Sequence, residues 1–255
     1  MEKLKIFAHQ PNNKKPIIFI HGFPYDHRMW IKVMNLLQSN FYCIAYDVRG
    51  LGESPVEDGN YSIDLFADDL INIVEDMKLD KPAICGHSMG GYIALRAFEK
   101  SDSTFSNLIL CDTKSEPDND EGKAKRDAAI KKIDDEGLEK YVREFVPSCF
   151  SNNFKNEKSD ELNNTISFAE QHNPVGVKGC ITAMKNRTDT TPYLNRIKIP
   201  VLVLVGEEDT ISTPIKMKEM AEKIKESKFK IISNAAHMAP VENPESVAEE
   251  IRKFL

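Results

Sequence analysis

A serine flanked by two glycines follows a short apolar stretch of the chain. Residues 83–85 run into Gly86-His87-Ser88-Met89-Gly90, and a helical pattern begins directly afterwards. This is the Gly-x-Ser-x-Gly pattern, in which a strand turns sharply into a helix and exposes a serine hydroxyl at the end of a parallel sheet. Glycines at positions 86 and 90 avoid steric clashes in such a turn. We therefore predict that Ser88 is a nucleophile rather than an ordinary turn residue.

A serine nucleophile needs a general base, and histidine is the usual one because its pKa lies near neutrality. Among the six histidines, His237 lies in a loop between a strand-like segment, 229–233, and a final helical pattern. A loop that leaves the last strand can reach the carboxyl edge of the sheet, where the serine is expected. We predict that His237 is the base, that His87 is structural, and that His9 and His172 are surface residues.

The base in turn needs a carboxylate that holds its tautomer and stabilises the imidazolium. Asp209 follows the apolar strand pattern 201–205, so we predict that this carboxylate also lies at the carboxyl edge of the sheet. Asp112 ends another strand pattern and is a second candidate. Glu207 and Glu208 are close competitors in sequence. Asp209 is the predicted acid, with Asp112 as the alternative.

Acyl chemistry also needs hydrogen-bond donors for the oxygen that gains negative charge. The early strand pattern 16–20 ends in His21-Gly22, a turn that can aim the backbone N–H of Phe23 at the nucleophile. The N–H of Met89, at the start of the helix after the serine, is the predicted second donor. Together these two groups are predicted to form an oxyanion hole.

These motifs together resemble the α/β-hydrolase superfamily, in which the three residues come in the chain order Ser88, Asp209, His237. The segment 47–54, Asp-Val-Arg-Gly-Leu-Gly-Glu-Ser, is similar to a structural loop of the family, and 186–194 is similar to the cap exit of its small esterases and enol-lactonases. The resemblance implies an α/β fold: a mostly parallel sheet with helices on both faces and a helical cap inserted after the sixth strand. Serine as the nucleophile argues against haloalkane dehalogenases and epoxide hydrolases.

The segment between the two parts of the predicted sheet has helical patterns and no strand pattern. We therefore assign residues 1–113 and 197–255 to the core domain and 114–196 to the cap. In the family such a cap covers the nucleophile, so its apolar side chains are expected to line the substrate pocket or to form the small core of the cap itself. The predicted pocket residues are Phe145, Phe150, Phe168 and Met184.

The composition favours a soluble globular enzyme. The 255 residues are 41% hydrophobic and 29% charged, with a net charge of −6, which gives no electrostatic reason to bind nucleic acid. No stretch approaches the roughly 20 apolar residues that cross a membrane. The beginning, residues 1–7, lacks the apolar core of a signal peptide and is predicted to be the first strand, and the five cysteines lack C-x-x-C spacing. We expect a cytoplasmic monomer or homodimer with reduced cysteines.

These observations predict a serine hydrolase that cleaves small or short-to-medium-chain carboxylic esters, without a metal or organic cofactor. The first alternative is a lactone hydrolase similar to the enol-lactonases, whose anionic substrate would need a cation from Arg143, Lys185 or Arg187. Peracid formation by the acyl-enzyme is a further possible side activity. A non-catalytic ligand-binding protein of this fold is the alternative from a different class, and it predicts a damaged set of site residues.

Overall fold

The computed structural model describes residues 3–9 and 14–255, in which seven strands form one sheet. The strand order across the sheet is β1-β3-β2-β4-β5-β6-β7, and all neighbouring pairs are parallel except β1 with β3. The mostly parallel sheet is therefore confirmed. The strands are β1 (Ile6–Ala8), β2 (Pro16–Ile20), β3 (Tyr42–Tyr46), β4 (Ala83–His87), β5 (Asn107–Cys111), β6 (Val201–Gly206) and β7 (Ser227–Ile232).

The central strands are apolar along their whole length because both faces of the sheet are covered. Every residue of β4 and of β6 is buried, as expected for parallel strands between two layers of helices. The first strand begins at Ile6, later than predicted; the predicted part at residues 1–2 lies outside the described residues. All five cysteines are buried and free, as the sequence predicts.

Helices cover the sheet, and two pairs of them pack closely against each other. Helix α2 packs against α3, and α1 packs against α11. The Ser62 hydroxyl accepts a hydrogen bond from the N–H of Leu65 at 3.0 Å, which caps the first turn of α2. The core helices are α1 (Ile31–Leu37), α2 (Ile63–Asp76), α3 (Met89–Lys100), α9 (Pro214–Glu222), α10 (Ala239–Glu242) and α11 (Pro244–Phe254).

The helical insertion lies between β5 and β6. It follows the fifth strand of the described residues, so the predicted position after a sixth strand is wrong: only four strands precede β5. Within it, the backbone breaks at Lys158, which separates a short helix that ends at Glu157 from a longer one that begins at Ser159. The helices of the insertion are α4 (Asp120–Glu136), α5 (Leu138–Ser148), α6 (Asn152–Glu157), α7 (Ser159–Glu170) and α8 (Pro174–Lys185).

The helices are those of a chain without a membrane-spanning helix among its described residues. In the described part of the chain, none is both long enough and apolar enough to cross a bilayer.

Candidate active site

Ser88 occupies a strained turn between β4 and α3. Its φ of +50° lies in the left-handed region, which residues other than glycine rarely adopt. A Cβ at Gly86 would lie 2.3 Å from the carbonyl oxygen of Gly90, and a Cβ at Gly90 would lie 2.3 Å from that of Ile20. Only glycine therefore fits at both positions. The Ser88 N–H donates to the carbonyl oxygen of Cys111 at 3.0 Å, which fastens the turn to β5.

The structure brings the three predicted side chains into one hydrogen-bonded line. His237 Nδ1 lies 2.9 Å from Asp209 Oδ2, and His237 Nε2 lies 3.0 Å from Ser88 Oγ. An ionised carboxylate only accepts, so Nδ1 carries the proton and donates to Asp209. The lone pair of Nε2 then faces the serine hydroxyl. This is the arrangement in which an imidazole can take a proton from the serine.

Asp209 is held in its ionised form although it is buried. Burial by itself would raise its pKa, but the charge and hydrogen bond of His237 and the N–H groups of Ser212 and Ile211 bring the pKa below the usual range. Those two N–H groups donate to Oδ1 at 2.9 and 2.7 Å, so the other oxygen, Oδ2, remains for the imidazole. Asp209 can therefore fix the ring and balance a positive charge on it.

Asp112, the alternative acid, has a different environment. It is completely buried at the end of β5, and its Oδ1 accepts from the N–H of Gly206 at 2.8 Å. Burial, followed by the nearby charge of Asp209, raises its pKa far above the usual range. Its hydrogen bonds within the described chain do not include His237. A neutral, buried carboxyl group cannot stabilise an imidazolium as a carboxylate does.

The predicted oxyanion donors lie on two backbone segments that touch each other. A Cβ at Gly22 would lie 3.2 Å from Ser88 Cβ, so the loop after β2 runs directly beside the serine. Phe23 follows in this loop, and Met89 is the first residue of α3. Neither N–H donates to another residue of the described chain. Among the described residues, neither N–H group therefore has an acceptor.

The four predicted pocket residues fall into two groups. The Phe145 ring lies 5.9 Å from the ring of Phe23, and Phe168 helps to line a cavity of about 370 Å³. Phe150 instead stacks on Phe154 at 5.0 Å within the insertion, and Met184 is buried in α8. Of the four, only Phe168 lines the cavity, so the prediction is wrong for Phe145, Phe150 and Met184. The lining residues are Tyr25, Asp26, Arg28, Met29, Lys32, Glu161, Asn164, Thr165, Phe168, Ala169 and Val241.

The charges around this cavity are paired. Arg28 forms an ion pair with buried Asp26 and stacks over Phe168 at 3.8 Å, while Lys32 pairs with Glu161. The second pair joins α1 to α7 and therefore links the core to the insertion. With two cations and two anions, the described wall of the cavity carries no net charge.

His172 was predicted to lie on the surface, and that prediction is wrong. It is buried against the 47–54 loop, where its Nδ1 accepts a hydrogen bond from the N–H of Gly52 at 3.1 Å. Burial lowers its pKa to about 4. The sequence held no local signal for this contact, because the two partners are 120 residues apart.

A group that sequence analysis missed is the trio Asp26, His27 and Asp47. One possible ligand atom from each lies within 4.8 Å of the others, so the trio could in principle hold a metal ion. These atoms already have partners, however. Asp47 Oδ1 accepts from both the N–H and Nδ1 of His27 at 2.8 Å, and Asp26 is paired with Arg28. An ion would have to displace these contacts, so the donor set does not fit a resident metal.

Comparison with known proteins identifies the family of the chain. A family model described as the alpha/beta hydrolase fold matches residues 15–244. The chain is 25% identical to 3-oxoadipate enol-lactonase 1 of Acinetobacter baylyi over 252 residues, which cover 99% of this chain and 92% of that protein. The chain therefore belongs to the α/β-hydrolase superfamily.

Solved structures have the same fold. A thermophilic esterase from Thermogutta terrifontis superimposes with a TM-score of 0.93 at 32% identity, covering 98% of this chain and 93% of that one. The enol-lactonase from Burkholderia xenovorans LB400 has a TM-score of 0.90 at 22% identity, with 98% and 95% covered. The family and these neighbours make the protein a hydrolase of esters or related bonds in small molecules.

Proposed function

We propose that this protein is a serine carboxylesterase that cleaves small or short-to-medium-chain esters through an acyl-enzyme. The observation that carries the proposal is the line of hydrogen bonds from Ser88 through His237 to Asp209, with 3.0 and 2.9 Å between the paired atoms. The strained backbone of the serine and its position at the start of α3 support the same assignment.

The reaction proceeds in two acyl-transfer steps. His237 Nε2 takes the hydroxyl proton as Ser88 Oγ attacks the ester carbonyl, and Asp209 stabilises the imidazolium that forms. The imidazolium then protonates the leaving alcohol as the carbon–oxygen bond breaks. Water, deprotonated by the same imidazole, attacks the acyl-serine. The acid leaves as Ser88 recovers its proton.

The tetrahedral intermediate places a negative charge on the former carbonyl oxygen. We assign the N–H groups of Phe23 and Met89 as its donors, since both adjoin Ser88 and neither is used within the described chain. The N-terminal end of α3 adds a positive potential at the same point. Each donor contributes roughly 3 kcal/mol to stabilisation of the transition state.

We propose that residues 114–196 form a cap and that the cavity of about 370 Å³ beneath α7 holds the acyl or alcohol part of the substrate. The volume fits one small ligand. Its paired charges favour a neutral substrate over an anion. Phe145, which lies against Phe23, is assigned to the passage toward the serine, whereas Phe150 and Met184 support the cap from within.

Lactone hydrolysis is the second candidate, favoured by similarity to an enol-lactonase. An anionic lactone would need an unpaired cation in the cap. The three cations considered for this role already pair with carboxylates: Arg143 with Glu170, Lys185 with Asp127 and Arg187 with Asp118. The neutral ester is therefore the preferred substrate. We further propose a cytoplasmic protein that needs no cofactor, in line with its buried, reduced cysteines.

The test compares p-nitrophenyl esters of increasing acyl length with neutral and carboxylate-bearing lactones. Wild-type protein is expected to hydrolyse the short esters, and Ser88→Ala is expected to lose this activity while keeping its fold. Ser39→Ala, which changes an exposed serine, is the matched control. Equal turnover by Ser88→Ala and wild type would overturn the assignment. Preference for an anionic lactone would favour the second candidate, and inactivity toward every substrate would favour a binding protein.

A further inference from the structure

The carboxylate of Glu242 joins two backbone segments that lie far apart in the sequence. Its Oε1 accepts from the N–H of Ala236 at 2.9 Å, and its Oε2 accepts from the N–H of Ser151 at 2.9 Å. Ala236 immediately precedes His237, while Ser151 lies in the helical insertion. One side chain thus connects the loop of the proposed base to the proposed cap.

On the cap side, Glu242 completes the start of α6. Ser151 is the N-cap residue, and its own hydroxyl accepts from the N–H of Phe154 at 3.1 Å. The backbone N–H of an N-cap residue is often satisfied by a glutamate three positions later in the same helix. Here the glutamate lies 91 residues away in the sequence, so the N-terminal end of α6 is stabilised by a residue from outside the insertion.

On the core side, Glu242 holds the loop that carries the imidazole. The residue ends α10, which begins two residues after His237. The bond to Ala236 closes residues 236–242 into a short hydrogen-bonded ring that contains His237. On its other side the loop rests on β6, because a Cβ at Gly206 would lie 1.9 Å from the Ala236 carbonyl oxygen.

We propose that Glu242 is a positioning residue that couples the placement of the cap to the placement of His237. The inference rests on the proposed function, since it assumes that His237 is the base. With the cap in place, both oxygens are held by N–H donors, and charge-assisted bonds of this kind are strong. When the cap moves away, Oε2 loses its donor and the carboxylate can turn. The imidazole is then less well aligned with Ser88, and small misplacements of catalytic groups reduce rates strongly.

The first experiment changes the carboxylate. We expect Glu242→Ala to lower kcat for a short ester about tenfold, the rate equivalent of one charge-assisted hydrogen bond, with a smaller effect on KM. Glu242→Gln keeps one acceptor oxygen, so we expect a loss of about threefold. A wild-type kcat for Glu242→Ala, or a change confined to KM, would overturn the inference.

The second experiment removes the donor on the cap side. Ser151→Pro deletes the N–H, and the φ of −62° at this position already suits proline. Ser151→Ala keeps the N–H but also loses the capping hydroxyl, so the pair isolates the bond to Glu242. We expect Ser151→Pro to have a kcat about fivefold below that of Ser151→Ala. In the Glu242→Ala background this difference should fall below twofold, because the coupling is already lost. An equal difference in both backgrounds would overturn the coupling.

Hydrogen exchange provides a test that does not depend on Ser151→Pro folding. In Glu242→Ala, faster amide exchange is expected in both segments 149–154 and 233–238. Faster exchange in the first segment alone would overturn the inference, because the histidine loop would then be held without Glu242. Absence of ester hydrolysis by wild-type protein would instead count against the proposed function. The exchange result would still decide whether the link exists.

Discussion

His87 and His237 are joined by a short hydrogen bond in which His87 Nε2 lies 2.6 Å from the carbonyl oxygen of His237. A carbonyl oxygen only accepts, so Nε2 of His87 carries the proton. Burial lowers the pKa of His87 to about 3, and the ring is therefore neutral at physiological pH. The residue before Ser88 in the sequence thus holds the backbone of the proposed base.

The first prediction is that His87→Leu impairs both folding and turnover. The carbonyl group of His237 would be left buried without a donor, at a cost of about 1–3 kcal/mol in the free energy of unfolding. The backbone of Gly22 packs closely against the His87 ring, since a Cβ at Gly22 would lie only 2.3 Å from His87 Nδ1. The substitution would also change this contact. Urea unfolding and kcat measure the two effects. His9→Leu is the matched control, and unchanged values for His87→Leu would contradict this role.

The second prediction distinguishes the two candidate acids by an asparagine substitution at each position. Asp209→Asn is expected to lower kcat by about 10⁴, because the amide favours the wrong tautomer of His237. Asp112 is expected to be protonated, so Asp112→Asn replaces one neutral group by another of similar shape and should retain most of the activity. Steady-state kinetics with one short ester checks both. The reverse ranking would make Asp112 the acid.

Much of this site could be predicted because its side chains lie in the loops that follow strands. Ser88 directly follows one strand, while Asp209 and His237 lie in the loops that follow two others, and parallel strands bring such positions to one edge of the sheet. The sequence could not exclude Asp112, since it also ends a strand. The difference lies in burial and in the absence of a hydrogen bond to the imidazole within the described chain.

Contacts between distant segments were not predictable in the same way. The bonds of Glu242 to Ser151 and of His172 to Gly52 span 91 and 120 residues, and no local pattern indicates them. The apolar residues of the insertion pose a related problem. Phe168 lines the cavity and Phe150 packs inside the helical insertion, yet both are phenylalanines in helical segments or next to them. A hydrophobic side chain in the sequence predicts that the residue is buried, but it does not predict which residues pack against it.

The third prediction concerns stability at acidic pH. His172 has a folded pKa of about 4, against about 6.5 when unfolded, so the unfolded chain binds more protons between these values. The free energy of unfolding should therefore decrease as the pH falls from 6.5 to 4, and His172 adds no further loss below that. Between pH 7 and 4.5 this residue lowers the free energy of unfolding by about 2 kcal/mol.

His172→Gln tests this effect because the glutamine oxygen can accept from Gly52 without titrating. Urea unfolding at the two pH values should give a smaller decrease for this variant than for wild type. His9→Gln serves as the control and should keep the full decrease. An identical pH dependence in His172→Gln and wild type would show that another group is responsible.

The fourth prediction is that a chelator leaves ester hydrolysis unchanged. The trio Asp26, His27 and Asp47 has its ligand atoms engaged in hydrogen bonds and in the ion pair with Arg28. The proposed mechanism assigns every proton transfer to His237. Activity after dialysis against EDTA, with and without added Zn²⁺ or Mg²⁺, measures this. Loss on dialysis followed by recovery with one of the ions would point to a metal site in the trio.

The last prediction is a maximum in activity at short to medium acyl length. Each methylene buried in the cavity contributes about 0.8 kcal/mol until the space is filled, after which longer chains gain nothing. A cavity of about 370 Å³ sets that limit. Phe168→Ala removes part of its wall and should move the maximum to longer chains, whereas Phe254→Ala, on the last core helix, should not. The value of kcat/KM from acetate to palmitate measures the shift. A rate that still rises at palmitate, or activation at an oil–water interface, would identify a lipase, and an unmoved maximum in Phe168→Ala would exclude this cavity as the acyl site.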